Sequence, residues 1–349
     1  MKLYQEAGWL DAAHIDEIAD KNGINFIVII GKRQIGKTYN VLKYMLDSDK
    51  RFVFMRRVRP ELEMLEKGVN SPFEKIKGWS DKVKLLKESE YSAQIVRLDA
   101  DEDGNETVIQ IGLGVALGTV GRLRGFSGDI YTDVVFDEFI PEEHLYKLRN
   151  EGVAFKSAHD TINGNRELEG RPCLRWWLLA NSNDLNNAIL EALHITKTVE
   201  RMSLRGEEYC MLKDRGILII MPDSAVITEK RAKTGLYKAI GLDDDYTKMA
   251  LGNEFAFNDY TDVKSMPLSE FNQYLTIGKV TINLHKSSKI IYVTQKLKQR
   301  SKYNLTDSET HINTFNRQFG DVKRAYLSGR VYFQDMTVKN YFLNYCQIS

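Results

Sequence analysis

A run of eight residues near the N-terminus has the composition of a phosphate-binding loop. The run is Gly31-Lys32-Arg33-Gln34-Ile35-Gly36-Lys37-Thr38, which follows the pattern G-x-x-x-x-G-K-[ST]. Its glycines allow backbone N–H groups to curl around an anion, and the helix that should follow adds its positive end. Lys37 can then reach the β- and γ-phosphates of a nucleotide, and the Thr38 hydroxyl can ligate Mg²⁺. The alternative is a chance glycine turn between a strand and a helix.

Two adjacent carboxylates, Asp137 and Glu138, lie about 100 residues downstream, where the apolar run Val134-Val135-Phe136 ends. In phosphate-binding folds of this kind, the first acid holds Mg²⁺ through its water shell. The second is the residue type that orients and deprotonates an attacking water. The pair favours ATP cleavage coupled to mechanical work over nucleotide-kinase chemistry. The alternative is a strand that ends in surface acids.

Other polar residues could complete such a site. Asn181 ends an apolar run that begins at Leu174, where it could sense the γ-phosphate or the water, or could simply cap the following turn. Charge on the transferred phosphoryl group also calls for a further cation, and an arginine finger raises the rate by ~10³–10⁵. The candidates are Arg33 in the loop and three residues that could reach a neighbouring subunit, Arg59, Arg166 and Arg171. Arg166 is preferred because its turn-rich surroundings predict an exposed loop, although each of these could be a solvated surface charge.

The elements that must position these residues alternate between strand and helix. A β-branched apolar stretch at Asn25–Ile30 precedes the loop, and a helical pattern at Tyr39–Leu46 follows it. Strand patterns recur at Arg51–Met55, Asp133–Phe136 and Leu174–Ala180. This alternation predicts an α/β fold with a parallel sheet and helices on both faces.

Three segments of this region are assigned from their composition. Ala93–Leu98 and Glu106–Ile111 predict a hairpin, and the polar stretch before it, to about Glu90, is expected to be mostly helical. Gly112–Gly128 is rich in glycine and includes two arginines, Arg122 and Arg124. It predicts a mobile basic loop.

Length and composition restrict the class of protein. The chain has 349 residues, is 43% hydrophobic and 28% charged, and has a formal net charge of +1, as expected for a globular protein with room for two domains. No apolar run approaches the ~18–20 residues of a membrane span, and the N-terminus lacks a signal-peptide core. The cysteines, Cys173, Cys210 and Cys346, form no metal-spaced or redox pair. We expect a soluble intracellular protein with no membrane partner.

The sequence pattern changes near residue 199. Residues 199–255 combine a short strand at Ile217–Met221 with polar stretches and are expected to form a linker unit. A hairpin is then predicted at Lys279–Leu284 and Lys289–Thr294. Residues 279–330 hold eleven Lys or Arg against three Asp or Glu, which fits contact with a phosphate backbone or a solvated basic face. The predicted domains are 1–198, 199–255 and 256–349.

Four segments, taken in order, carry a resemblance to one protein family. They are the phosphate loop, residues 52–62 (FVFMRRVRPEL), residues 135–140 (VFDEFI) and residues 221–224 (MPDS). Over roughly residues 24–260 the chain resembles the DNA-encapsidation (genome-packaging) ATPases of small podophages, which are related to the large terminases. The phosphate loop is generic, whereas the second and third segments are specific.

The resemblance implies a P-loop NTPase domain of the ASCE type, a linker, and a small α+β C-terminal domain like ribonuclease H. It implies a homo-oligomeric ring, a pentamer, at the portal or connector of a procapsid, pumping double-stranded DNA with ATP and Mg²⁺. In some members the ring also docks on a packaging RNA. Such a protein would be found in the host cytoplasm and transiently on the procapsid, not in the mature virion. Terminases cut DNA with clustered acids, but the predicted C-terminal hairpin strands carry none, so no nuclease activity is expected.

The resemblance also assigns roles to particular residues. Thr38 and Asp137 would hold Mg²⁺, Glu138 would activate water, and Arg166 or Arg33 would stabilise the transition state. Where the family has an arginine just before an Asn-Arg-Glu stretch, this chain has Gly164, so Arg166 is the nearest substitute. The nucleotide-binding residues would be Gly31, Lys32, Arg33, Gln34, Ile35, Gly36, Lys37, Thr38 and Asp137. Candidates for contact with DNA phosphates in the pore are basic residues on predicted loops, Arg122, Arg124, Lys147 and Arg149.

Two other classes of function compete with a DNA translocase. One is a nucleotide-dependent binding or switch protein that assembles on DNA or RNA with little turnover. The other is a P-loop helicase or nucleotide kinase. The acid pair argues against the kinase, and the sequence has no separate set of helicase motifs.

Overall fold

A computed structural model describes residues 2–68, 71–100, 106–122, 128–142, 148, 150–241, 247, 260–297 and 301–348 of the chain. It divides into two compact units, Met1–Phe257 and Asn258–Ser349.

The first unit alternates strands and helices over most of its length. Its strands are β1 (Phe26–Gly31), β2 (Phe52–Arg56), β3 (Val83–Lys87), β4 (Ser92–Ala100), β5 (Glu106–Ala116), β6 (Asp133–Asp137), β7 (Arg175–Asn181), β8 (Tyr209–Leu212) and β9 (Ile217–Ile220). Its α-helices are α1 (Ala12–Lys21), α2 (Lys37–Asp47), α3 (Arg59–Glu66), α4 (Glu151–Asn163), α5 (Ala188–Ala192), α6 (Thr196–Arg205), α7 (Ala225–Ala232) and α8 (Gly235–Ile240).

The strands of this unit form one large, mostly parallel sheet. Within the described residues their order is β3-β4-β5-β2-β6-β7-β1-β9-β8. The strands from β5 to β9 in this order are parallel to their neighbours, whereas β3, β4 and β8 join the edges in antiparallel fashion. The carboxyl ends of β2, β6, β7 and β1 therefore lie side by side at one edge of the sheet. The predicted mixed α/β fold is confirmed.

Both faces of the sheet are covered by helices, as predicted. Adjacent residues of a strand point to opposite faces, and the tryptophan pair of β7 illustrates this. Trp177 belongs to a core that includes residues of α1, α2 and α3. Trp176 contacts Phe155 of α4 edge to face, with ring centroids 5.1 Å apart. Both indole rings are fully buried, so β7 is held between two layers of helix.

Two segments of the first unit differ from the sequence-based expectation. The stretch expected to be helical before Glu90 contains β3, which pairs with β4. The glycine-rich segment predicted as a loop begins inside β5, where a Cβ on Gly112 would lie 2.6 Å from the Phe52 carbonyl oxygen. Glycine is therefore required there by the close approach of two strands. A 3₁₀-helix at Leu117–Arg122 follows, and residues 123–127 lie outside the described residues.

The sheet also continues beyond the predicted domain boundary at residue 198. β9 is fully buried and pairs in parallel with β1, with Ile217 opposite Phe26. The predicted linker unit is therefore wrong for residues up to Ile220, which belong to the large sheet. Which strands are adjacent in a sheet depends on tertiary packing. The four-residue apolar run of β9 therefore does not by itself predict that the strand pairs with β1.

The second unit is a smaller α+β structure. Its strands are β10 (Phe271–Ile277), β11 (Val280–His285), β12 (Ile291–Gln295), β13 (Tyr303–Leu305) and β14 (Val331–Phe333), and its α-helices are α9 (Glu309–Gln318), α10 (Gly320–Leu327) and α11 (Met336–Cys346). The described strands are ordered β13-β10-β11-β12-β14. The predicted hairpin is confirmed as the antiparallel pair β11 and β12. None of the described strands of this sheet contains Asp or Glu.

In the part of the chain that the structure describes, every helix is too short or too polar to cross a lipid bilayer.

Candidate functional site

The predicted phosphate loop joins β1 directly to α2. Gly36 precedes the first residue of α2 with φ +79°, and a Cβ at this position would lie 2.5 Å from Asn40 Nδ2. Gln34 also has a positive φ, of 57°. The left-handed backbone of Gly36 favours glycine, and the turn directs the first N–H groups of α2 towards the loop. The segment thus has the geometry of an anion cradle at a helix N-terminus.

Lys37 is buried beneath this loop. Its Nζ donates hydrogen bonds to the carbonyl oxygens of Gly31 (2.9 Å) and Lys32 (2.7 Å) and to Asn181 Oδ1 (3.0 Å). Burial lowers the pKa of Lys37 to about 7, partly opposed by the nearby negative charge of Asp137. Asn181 ends β7, the neighbour of β1, so the structure brings this predicted residue to the loop.

Thr38 and Asp137 meet as predicted. Thr38 Oγ1 donates a hydrogen bond to Asp137 Oδ1 over 2.7 Å. Asp137 is the last residue of β6 and is buried. A hydroxyl and a carboxylate oxygen beside an anion cradle are hard oxygen donors of the kind that Mg²⁺ prefers. These two side chains therefore fit a magnesium ion bound together with phosphate.

Arg56 is a site residue to which the sequence analysis gave no role. Its Nη1 donates to Asp137 Oδ2 (2.9 Å), and its Nη2 donates to Glu138 Oε2 (2.6 Å). Its Nε lies 3.5 Å from Glu61 Oε2. Arg56 ends β2 and Asp137 ends the adjacent strand β6, in register. The two strand ends were each visible in the sequence, but their adjacency was not.

Glu138 follows β6 in a strained backbone conformation, with φ +56°. Partial desolvation of its half-exposed carboxylate raises its pKa; Arg56 opposes this effect, and the neighbouring carboxylates of Asp137 and Glu61 add to it. A carboxylate with a raised pKa, placed beside a metal-binding acid, is suited to accept a proton from water. In the structure its carboxylate is held by Arg56.

A cavity of about 750 Å³ connects these groups. One wall is formed by the loop, Arg56, the acid pair and Asn181. The other lining residues are Tyr39, Glu61, Met64, Leu65, Pro72, Lys75, Ala180, Arg231, Thr234, Leu236 and Tyr237. The volume is within the range of small-molecule sites, and the mixture of apolar surface with a few charged groups is typical of them.

Arg231 is the second cation that sequence reasoning missed. It lies on α7 and is buried, and its guanidinium donates to the Arg33 carbonyl oxygen and to the Tyr237 hydroxyl. Its guanidinium carbon is 5.1 Å from the centre of the Tyr237 ring. These residues fall in the segment predicted as a linker, so the sequence gave no reason to place them at the cavity. Arg33, which was predicted, also lines the cavity and forms an ion pair with Glu142.

Arg166 does not lie at this site. It is 5% exposed, and its guanidinium donates to the carbonyl oxygens of Gly128 (3.0 Å) and Tyr131 (2.7 Å), ahead of the start of β6. The nucleotide loop lies beyond the other ends of the parallel strands. The turn around Arg166 is exposed as expected, but the Arg166 side chain is not, because its guanidinium folds inward to satisfy backbone carbonyls.

The remaining arginine candidates are also paired elsewhere. Arg171 forms ion pairs with Asp129 and Glu169, both at 2.6 Å, and Arg59 pairs with Glu66 at 2.7 Å. Among the predicted DNA contacts, Arg122 is exposed and donates to the Tyr91 hydroxyl over 3.1 Å. The other predicted DNA contacts, Arg124, Lys147 and Arg149, lie outside the described residues.

Comparison with known proteins finds the same fold in phage packaging motors. No protein-family model matches the chain. A DNA packaging protein of Bacillus phage B103 is 27% identical over 237 residues, which is 66% of this chain and 64% of that relative's length. The packaging motor assembly of bacteriophage Phi-29 shares the fold over 99% of both chains, with a TM-score of 0.60 and 16% identity. The Phi-28 DNA packaging motor gives a TM-score of 0.57 at 14% identity, over 95% of this chain and 97% of that one. The resemblance inferred from the sequence is confirmed.

Proposed function

We propose that this protein is an Mg-ATP-dependent ATPase that drives double-stranded DNA into a phage procapsid. The observation that carries the proposal is a single cavity where the phosphate loop, the Thr38–Asp137 pair and Glu138 meet. The likeness to a phage DNA packaging protein supports DNA as the cargo.

The chain's own groups divide the work of nucleotide binding. The loop N–H groups and Lys37 bind the phosphates, and Thr38 with Asp137 holds the metal. A bound Mg²⁺ would neutralise charge on the β- and γ-phosphates. The lining residues around Tyr237 would cover the apolar part of the nucleotide. Lys37 must exchange its three protein acceptors for phosphate oxygens, so its ammonium group moves from a satisfied position to the substrate.

Hydrolysis requires Glu138 to accept a proton from the attacking water. In the structure Arg56 donates a hydrogen bond to the Glu138 carboxylate. This ion pair must therefore break before Glu138 can act as a base. Among the described residues, the cations at the cavity are Lys37, Lys75, Arg33, Arg56 and Arg231. We propose Arg33, Arg56 and Arg231, in place of Arg166, as the arginines that meet developing negative charge within one subunit. A cation donated by a neighbouring subunit remains compatible with this arrangement.

Several finer features are part of the same proposal. The first unit would be a P-loop NTPase of the ASCE type, and the second a ribonuclease-H-like domain without nuclease activity. Its described strands offer no carboxylate for a nuclease metal site. The protein would act as a homo-oligomeric ring at the portal, with double-stranded DNA in its pore and, in some systems, a packaging RNA. It would work in the host cytoplasm and on the procapsid, and would not stay in the mature virion.

A nucleotide-gated binding protein is the second candidate. The ion pair between Arg56 and Glu138 favours it, because a base that is held by a cation gives slow turnover. The two candidates differ in whether duplex DNA raises ATP turnover.

Nucleotide binding by Lys37→Ala tests the site itself. Lys37 lies under the loop, whereas Lys43 lies on the same helix and pairs with Asp47 in solvent, so Lys43→Ala is a matched control. We expect Lys37→Ala to weaken ATP binding by a factor of about 100 or more, because a buried charge-assisted contact is worth roughly 3 kcal/mol. Lys43→Ala should bind ATP like the wild type. Equal ATP affinity in the two variants would overturn the assignment.

A further inference from the structure

Three side chains of types that can ligate a metal meet near the start of β7, at the opposite end of this strand from Asn181. His159 lies in the last turns of α4, Glu167 in the turn that follows, and Cys173 two residues before β7. One ligand atom from each residue lies within 4.8 Å of the other two. The sequence separations gave no hint of this cluster, because the cysteine has no cysteine partner.

The backbone around the cluster is held in place by Asn163 at the end of α4. Asn163 Nδ2 donates to Glu167 Oε2 (2.9 Å), and its Oδ1 accepts a hydrogen bond from the Leu174 N–H (3.1 Å). Asn163 thus fixes both Glu167 and the residue next to Cys173, and it is buried. Arg166 anchors the same segment through the Gly128 and Tyr131 carbonyls. Residues that orient ligands in this way are typical of metal sites.

A second observation at the cluster concerns the His159 imidazole. The Nδ1 atom of His159 is shielded from solvent and has no hydrogen-bond partner among the described residues. Buried polar atoms are nearly always satisfied, so this atom requires an explanation. The imidazole ring also packs against Trp176, with ring centroids 5.9 Å apart, which limits the directions in which it can turn.

We propose that His159, Glu167 and Cys173 bind a divalent transition-metal ion, with Zn²⁺ as the best fit. Imidazole nitrogen, thiolate and carboxylate are the donors that Zn²⁺ selects. Around a tetrahedral ion with bonds of ~2.0–2.3 Å, ligand atoms lie about 3.3–3.8 Å apart, so the observed cluster needs only a modest contraction. Water would take the fourth position. Binding releases the thiol proton of Cys173 to solvent as the Zn–S bond forms, so charge and atoms balance.

The role of this ion is structural. Cys173 precedes the seven-residue strand β7, whose other end carries Asn181 at the phosphate loop. At ~3.3 Å per residue the metal cluster and the nucleotide cavity are about 25 Å apart. The ion would tie the end of α4 to the start of β7, two elements that connect the acid pair to Asn181. It would therefore stabilise the first unit without taking part in hydrolysis.

Cobalt binding to the full-length protein tests this proposal. Co²⁺ is added to protein stripped of metal with a chelator, and thiolate-to-cobalt charge-transfer absorption is recorded. We expect one Co²⁺ per chain, with an absorption that Zn²⁺ abolishes by displacement. Cys173→Ser should lose the charge-transfer absorption, and His159→Gln should weaken Co²⁺ binding by a factor of 10 or more. Cys210→Ser is the matched control, because Cys210 is also a free, half-buried cysteine, and it should behave like the wild type.

Two results would overturn the proposal. One is the absence of thiolate-to-cobalt absorption in the wild-type protein. The other is an unchanged absorption in Cys173→Ser. If Cys173→Ser does not fold, His159→Gln decides, since it leaves the thiol in place and must still show weaker binding. ATP binding, measured on the same samples, separates a failure of this proposal from a failure of the nucleotide site.

Discussion

Removal of the Arg56 guanidinium should reveal that its ion pairs with Asp137 and with Glu138 contribute different free energies to stability. Arg56→Met keeps most of the aliphatic stem and removes the charge. Combining it with Asp137→Asn and, separately, with Glu138→Gln gives two double-mutant cycles, each of which isolates one pairwise term. The cycles are measured without nucleotide, where the structure shows both contacts.

The structure predicts unequal coupling energies. The side chains of Arg56 and Asp137 are 16% and 7% exposed, whereas that of Glu138 is 53% exposed. Hydrogen bonds to a charged group are worth ~1.5–3 kcal/mol when water is excluded, so we expect about 2 kcal/mol for the Arg56–Asp137 pair. Exposed ion pairs contribute ~0.2–1 kcal/mol, so we expect about 0.5 kcal/mol for Arg56–Glu138. Arg56→Met alone should lower the free energy of unfolding by ~3–5 kcal/mol, because it leaves Asp137 buried without its cation.

Urea unfolding followed by tryptophan fluorescence measures these energies. Every tryptophan of the chain, Trp9, Trp79, Trp176 and Trp177, lies in the first unit, so the signal reports the unit that contains the site. Arg59→Met is the control, since Arg59 pairs with Glu66 on α3. It should lower stability without changing ATP affinity. The reasoning would be refuted if the Arg56–Glu138 coupling energy equals or exceeds that of Arg56–Asp137, or if neither exceeds the ~0.3–0.5 kcal/mol expected of independent sites.

Three further predictions follow from single residues of the first unit. Burial lowers the pKa of Lys37 to about 7, so the Lys37 ammonium of the free protein loses its proton above pH 7, while the phosphate-bound form keeps it. Apparent ATP affinity should therefore fall by up to about tenfold per pH unit above 7. Calorimetry in two buffers should detect proton uptake on ATP binding, and its absence would contradict this pKa. Gly36→Ala should weaken folding and ATP binding more than Gly78→Ala. Both residues have positive φ, but only a Cβ at residue 36 would displace the Asn40 amide, 2.5 Å away, from its hydrogen bond to the Gly36 carbonyl oxygen. Equal losses in urea unfolding would rule out the steric argument. Arg166→Ala should lower the free energy of unfolding by roughly 2–3 kcal/mol and leave ATP turnover per folded molecule unchanged. A loss of ~10³-fold in turnover would instead identify Arg166 as an arginine finger.

Sequence reasoning succeeded for functional residues that belong to a short motif directly after a predicted strand. The loop with Lys37, the acid pair and Asn181 each follow an apolar run, and parallel strands bring such ends to one edge. Placing Thr38 beside Asp137 therefore required only the correct assignment of two strands. The same logic gave the α/β class, since buried parallel strands read as continuous apolar runs.

Sequence reasoning failed where a role depends on non-local neighbours. Arg56 reads as one member of a basic cluster, and only the pairing of β2 with β6 shows that it faces two carboxylates. Arg231 falls in the segment predicted as a linker, but α7 follows β9, which is the direct neighbour of β1. For Arg166 the error is the reverse: the sequence assigned it to the site, and the structure places it elsewhere. An arginine in a polar turn is predicted to be exposed, and only the structure shows the carbonyl oxygens to which it donates.

Steady-state ATP hydrolysis by the wild type and by Glu138→Gln, each with and without double-stranded DNA, tests the central claim most directly. Glu138→Gln keeps the size of the side chain and removes the base. We predict that duplex DNA raises wild-type turnover, and that Glu138→Gln binds ATP with near wild-type affinity but hydrolyses it at least ~100-fold more slowly, as expected for loss of a general base. Wild-type turnover that is absent or indifferent to DNA, or a Glu138→Gln variant as active as the wild type, would contradict the account of this protein as a DNA-packaging ATPase.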